Sequence, residues 1–158
     1  MADTIVIYYS LDGNCEMVAG HAARFAEADL VRIKTYKEIP KKGPMKMIKG
    51  GAGVVFGKKP KIVPEHVDLS GYENVILCYP IWAGSFPPAM NTFLSENALH
   101  APLYVITSSA SGDGLKSVDA VENVTGVKVS DSLHLKNPLK DRNRSRKFTE
   151  SFITKNGI

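Results

Sequence analysis

Residues Thr4 to Tyr9 read TIVIYY, and the polar segment Ser10 to Cys15 (SLDGNC) follows at once, before a stretch with helical spacing. A strand that ends in a short polar loop and reopens as a helix gathers backbone N–H groups at the helix N-terminus, where the dipole favours negative charge. Gly13 permits a positive φ or the close approach of a ligand. No Lys or Arg occurs from Met1 to Ala23, so an anion held here is expected to rest on neutral donors. Ile5, Val6 and Ile7 are apolar without alternation, which suits a strand covered on both faces.

That strand is the first of several. Apolar, β-branched runs recur at Leu30–Lys34, Asn74–Tyr79, Leu103–Thr107 and Val127–Leu135, with longer segments of helical spacing between them. Alternating strands and helices predict an α/β fold with a doubly wound parallel sheet. The first helix is expected over Asn14–Glu27, with Asn14 as N-cap and Val18, Ala22 and Phe25 on its buried stripe. Pro87 and Pro88 open a second helix carrying Met90, Phe93 and Leu94. A third spans Leu115–Val124, and a fourth spans Arg142–Lys155 with Phe148, Phe152 and Ile153 as its apolar face. Five glycines puncture Pro40–Lys61, where a short helix near Met45–Lys49 is expected within a loop.

A chain of 158 residues without repeats or a linker predicts a single domain, residues 1–158, able to bury roughly two-thirds of its unfolded surface. No apolar run approaches the roughly 20 residues of a membrane span, and two cysteines, Cys15 and Cys78, are expected to be reduced. A soluble, cytoplasmic protein without a signal peptide is the expectation. The net charge of +4 conceals an asymmetry: −4 over residues 1–31, +9 over 32–61, −6 over 62–135 and +5 over 136–158. Phe56 is the one aromatic near Lys41, Lys42, Lys46, Lys49, Lys58, Lys59 and Lys61, so base stacking has little support and nucleic acid is not the expected partner. His21, His66, His100 and His134 lack metal-ligand spacing and are read as structural or surface groups, and no metal is expected.

In open parallel sheets, ligands bind beyond the carboxyl ends of the strands where strand order reverses. The loops there are Ser10–Cys15, Pro80–Ser85 (PIWAGS) and Ser108–Gly114 (SSASGDG). The first suits an anion, the second offers an indole, and the third offers hydroxyl and backbone groups. Together they suit a ligand with a phosphate at one end and a flat aromatic system at the other.

With these loops the chain resembles the flavodoxins and short flavodoxin-like proteins. YYSLDGNC looks like their phosphate loop, and YPIWAGSFPPAMNTFLSEN looks like their ring-binding loop and following helix. KKGPMKMIKGGAGVVFGKKPKIVP resembles an insertion found in one group of them. The resemblance implies five parallel strands in the order 2-1-3-4-5 and a non-covalently bound flavin mononucleotide (FMN). It implies that Ser10, Leu11, Asp12, Gly13, Asn14 and Cys15 wrap the phosphate through backbone amides and the Ser10 and Asn14 side chains. Trp82 would lie against the isoalloxazine, with Pro80, Ile81, Ala83 and Gly84 touching ring or ribityl chain. Thr107, Ser108, Ser109 and Gly112 would close the pyrimidine side. No catalytic residue is implied, since the chemistry belongs to the flavin.

Asp12 and Cys15 stand where hydroxyl residues are common. Two like charges at about 4 Å and an effective dielectric near 20 repel by roughly 4 kcal/mol, so Asp12 is expected to point away from the phosphate. Cys15 supplies a weak S–H donor. Glu16 and Met17 follow where a P-loop needs Lys and Ser or Thr, and the first arginine is Arg24, too far into the helix for a phosphatase loop. The expected function is electron transfer between redox partner proteins, a reductase and an acceptor, by a monomer or weak dimer. The alternatives are an FMN-dependent NAD(P)H:quinone-type oxidoreductase and a flavodoxin-like module that has lost flavin. All three loops come from the acidic segments, so an acidic rim suited to basic reductases is expected.

Overall fold

A computed structural model describes residues 2–40 and 42–158, excluding the side chains of Met47 and Ile48. Lys41, one of the basic residues noted above, therefore lies outside the described residues, as does Met1. The elements run β1 (Thr4–Tyr8), α1 (Asn14–Phe25), β2 (Asp29–Arg32), β3 (Lys34–Thr35), α2 (Pro44–Val55), β4 (Ile62–Val63), β5 (Asn74–Pro80), α3 (Pro88–Glu96), β6 (Leu103–Ser109), α4 (Leu115–Thr125), β7 (Val129–Lys136), a 3-10 turn (Pro138–Lys140) and α5 (Arg142–Asn156).

Five strands form one parallel sheet in the order β2-β1-β5-β6-β7. Without the minor pair β3 and β4, which form a separate antiparallel sheet, this is the expected 2-1-3-4-5. Side chains of a strand alternate between faces, and here both faces are covered. Ile5, Ile7 and Leu77 pack with Met90 and Phe93 of α3, whereas Val6, Tyr8 and Ile76 pack with Val18 and Ala22 of α1 and Phe152 of α5. One core polar pair lies between β5 and α4: the buried Tyr79 hydroxyl is 2.7 Å from the Ser117 hydroxyl.

Three local expectations change. Gly13, at φ 93°, is the N-cap of α1 in place of Asn14, because a left-handed residue turns the chain into the helix and frees the Asn14 side chain for a distant partner. Phe25 and Phe148 are about half exposed, at 45% and 46%. Each rests on a neighbour of its own helix, Phe25 against His21 and Phe148 beneath Arg144. Finally, α2 spans 12 residues, Pro44–Val55, rather than a short helix near Met45–Lys49. Its glycines are packing sites: a Cβ at Gly53 would lie 2.8 Å from Pro88 Cγ, and one at Gly50 3.3 Å from the Trp82 ring. Close approach to α3 and Trp82 outweighs the low helix propensity of glycine. No described helix is long and apolar enough to cross a membrane.

Candidate functional site

Strand order reverses between β1 and β5, and the loops leaving β1, β5 and β6 meet there. They enclose a cleft of about 350 Å³, within the range of roughly 300–1,000 Å³ usual for small-molecule sites. Ser10, Leu11, Asp12, Asn14 and Cys15 line it from the first loop, Pro80, Ile81 and Trp82 from the second, and Ser108 and Ser109 from the third.

In the first loop, Ser10 Oγ accepts the Gly13 N–H at 3.1 Å, which leaves the hydroxyl proton free to donate. Asn14 Oδ1 accepts the Leu139 N–H, so its amide N–H groups are the part left for a ligand. This contact ties the phosphate-loop candidate to the turn before α5. Arg32, at the end of β2, reaches behind the loop to the Ser10 carbonyl at 3.4 Å and to Glu16 at 3.1 Å. Cys15 is buried, its Sγ 3.1 Å from Ser108 Oγ. Cys78 is also free and buried, and its hydrogen bond with Cys15, together with burial, pushes its thiol pKa up and keeps it protonated.

The expectation of a site with neutral donors alone fails on one side chain. Lys46 of α2 lines the cleft and pairs with Asp12, Nζ to Oδ2 at 2.8 Å. A cation distant in sequence thus offsets the one carboxylate in the loop. The Asp12 side chain, about half exposed, is turned to that lysine. Contact with solvent weakens such a pair to about 0–1 kcal/mol of stability, so its main effect is on local charge.

Trp82 sits at the junction of α2 and the first two loops. Its ring meets Gly50 on one side and Tyr9 on another in a T-shaped contact, with ring centroids 5.6 Å apart at 87°. Tyr9 donates to Glu38 at 3.1 Å, and burial, then Glu38, pushes its phenol pKa well up. After Trp82 the chain reverses at Ala83 and Gly84, with φ 47° and 76°, closed by reciprocal backbone bonds between Trp82 and Ser85 at 2.9 Å. Two successive positive φ values are what a two-residue type I′ turn requires. This turn places Ala83 at the cavity beside Lys46 and Trp82, and Gly84 against the Lys116 side chain.

The third loop is held from below. Thr107 does not line the cleft; its hydroxyl lies 2.8 Å from His134 Nδ1. His134 Nε2 is 3.0 Å from Ser109 Oγ, which itself donates to the Ser111 carbonyl. With that proton committed, the Ser109 oxygen accepts from His134, so Nε2 carries a proton. Gly112 faces a neighbouring cavity of about 630 Å³ with Asp113, Lys140 and Phe148. Asn137 and Pro138 complete the cleft. Lys46, Arg32 and the turn at 137–139 were not read from the sequence, although the register that puts Arg32 opposite Tyr8 follows once β2 pairs with β1.

Burial, only partly countered by Asp113, lowers the His134 pKa from its usual 6.5. The folded state then holds this proton more weakly than the unfolded chain, so stability is fully present above about pH 6.5 and declines as pH falls towards the depressed value. His134→Gln is expected to flatten that decline. Urea unfolding from about pH 7.5 to about pH 5, wild type against variant, measures it, and parallel curves would contradict it.

The flavodoxin family model matches residues 3–129. The chain belongs to the flavodoxin family. Solved structures share its architecture. A proposed flavoprotein from Bacteroides eggerthii superposes with a TM-score of 0.83 at 16% identity, covering 100% of this chain and 99% of that one. A flavoprotein from Lactobacillus acidophilus in complex with FMN gives 0.73 at 16% identity, covering 89% and 97%. A WrbA-like flavodoxin from Agrobacterium tumefaciens gives 0.59 at 14%, covering 96% and 92%. In this family member the basic segment lies beside the site built by the acidic loops. Lys46, Lys49 and Lys58 reach the cavities around Trp82, because α2 folds over the second loop rather than away from it.

Proposed function

We propose that the cleft binds FMN non-covalently and that the flavin carries electrons between redox partner proteins. The observation that carries this reading is the meeting, in one cleft, of neutral donors from the first loop, the Trp82 indole and the third loop. The donor set fits the cofactor. The Ser10 hydroxyl, the Asn14 amide and nearby backbone N–H groups at the start of α1 suit a phosphate, with Lys46 countering the Asp12 charge. Trp82 offers an aromatic face to a flat ring. Ser108, held against Cys15, and Ser109, held by His134, offer hydroxyl and backbone groups to its polar edge. When bound, the flavin supplies one- and two-electron transfer, and the protein sets its surroundings.

Titrating the purified chain with FMN while recording the visible spectrum and thermal unfolding tests the reading. Uptake with a rise in unfolding temperature is expected, because a ligand bound to the folded state alone stabilises it. A chain that takes up no flavin and gains no stability from it overturns the proposal. Rapid bleaching of the loaded protein by NAD(P)H alone would make it a reductase rather than a carrier.

A further inference from the structure

We infer that the face around the cleft docks an acidic redox protein, an inference that rests on the redox reading above. Cations from separate elements lie beside the cleft. Lys49 and Lys58 line the cavity against Trp82, and the Lys116 side chain lies over Gly84. Beyond the third loop, Lys136, Lys140 and Arg144 line the neighbouring cavity. Among the described residues, none of these six forms an ion pair.

The carboxylates of the same face are engaged internally. Asp12 pairs with Lys46, and Glu38 accepts from Tyr9 and from the Thr35 N–H. Asp113 accepts from the Leu115 N–H, and Asp141 caps α5 through the Arg144 N–H. Their hydrogen-bond donors are neutral, so Glu38, Asp113 and Asp141 keep their charge, and the six unpaired cations outnumber these three carboxylates and leave the face net positive, although the loops that build the cleft lie in acidic segments. Such a field raises the encounter rate with a partner of opposite charge and selects against basic ones.

An exposed apolar pair adjoins these lysines in the chain. Val55 and Phe56, at the end of the helix whose Gly50 rests on Trp82, are 73% and 76% exposed, and Lys58 and Lys59 follow directly. An aromatic set within a basic surround has the anatomy of a protein interface. A membrane surface would call for one amphipathic helix with basic residues along its polar face, whereas these cations come from α2 and the loop after it, α4, β7, the 3-10 turn and α5.

The test uses an acidic plant-type [2Fe–2S] ferredoxin, with basic cytochrome c as its opposite. Calorimetry of the FMN-loaded chain is expected to show ferredoxin association that weakens about tenfold or more from about 20 to about 200 mM salt, with none for cytochrome c. The double variant Lys58→Glu/Lys140→Glu is expected to lose at least about tenfold in ferredoxin affinity at low salt while FMN uptake stays within about twofold. In stopped flow, one electron passes from the reduced cluster to the flavin, and this rate should follow the same order. Salt-independent association, preference for cytochrome c, or a variant that binds like the parent would overturn the inference. So would binding to phosphatidylglycerol vesicles in place of ferredoxin. The two failures separate: absence of FMN uptake overturns the redox reading, whereas normal uptake with salt-independent association overturns the docking inference alone.

Discussion

Gly114→Ala is expected to destabilise the chain by about 2–4 kcal/mol, combining a left-handed backbone with overpacking. Gly114 sits at φ 78° as the N-cap of α4, and an added Cβ would lie 2.6 Å from Thr107 Oγ1 and 3.0 Å from His134 Nδ1. Those atoms form the hydrogen bond that supports the third loop. Neither can withdraw freely, since Thr107 belongs to β6 and His134 to β7. Gly112→Ala separates the two contributions. That residue has φ 86° but open space around it, so about 1–2 kcal/mol is expected there. Denaturant unfolding of both variants checks the difference, and equal costs would show that the Thr107–His134 contact is not the constraint. Gly114→Ala is also expected to weaken FMN binding, because displaced Thr107 carries Ser108 and Ser109 with it.

Trp82→Ala is expected to weaken FMN binding by about thirtyfold, about 2 kcal/mol, which is the usual scale for a lost stacking contact between an aromatic side chain and a flat heterocycle. Trp82 also packs on Gly50 and on Tyr9, so the truncation loosens α2 as well. Trp82→Phe keeps an aromatic face and should recover most of the affinity, whereas a purely structural role for the indole predicts no such recovery. Titration of FMN fluorescence measures both variants. An alanine variant binding within about twofold of the parent would remove Trp82 from the proposed site.

The three central strands were legible because they are continuous apolar runs, whereas the order 2-1-3-4-5 came with the resemblance to the flavodoxins. The three loops were legible too, each lying where a strand of that sheet ends. Less was visible around Pro40–Lys61. Glycines read as helix breakers there serve as close-packing sites against Trp82 and Pro88, a role that exists only when the partner helix is in place. The N-cap of α1 was misplaced by one residue because Asn14 has capping chemistry, yet its side chain finds Leu139, 125 positions away.

The local pattern from Thr4 to Cys15, by itself, determined a strand, a polar loop and a helix start, because a continuous apolar run, β-branching and a glycine at a turn act over neighbouring residues. It also determined that no cation could come from that segment. Tertiary structure alone decided the charge of the site. Lys46 pairs with Asp12 across 34 positions, and α2 carries its lysines over a cleft built from acidic segments. Coulombic interaction depends on distance in space, which chain order does not report.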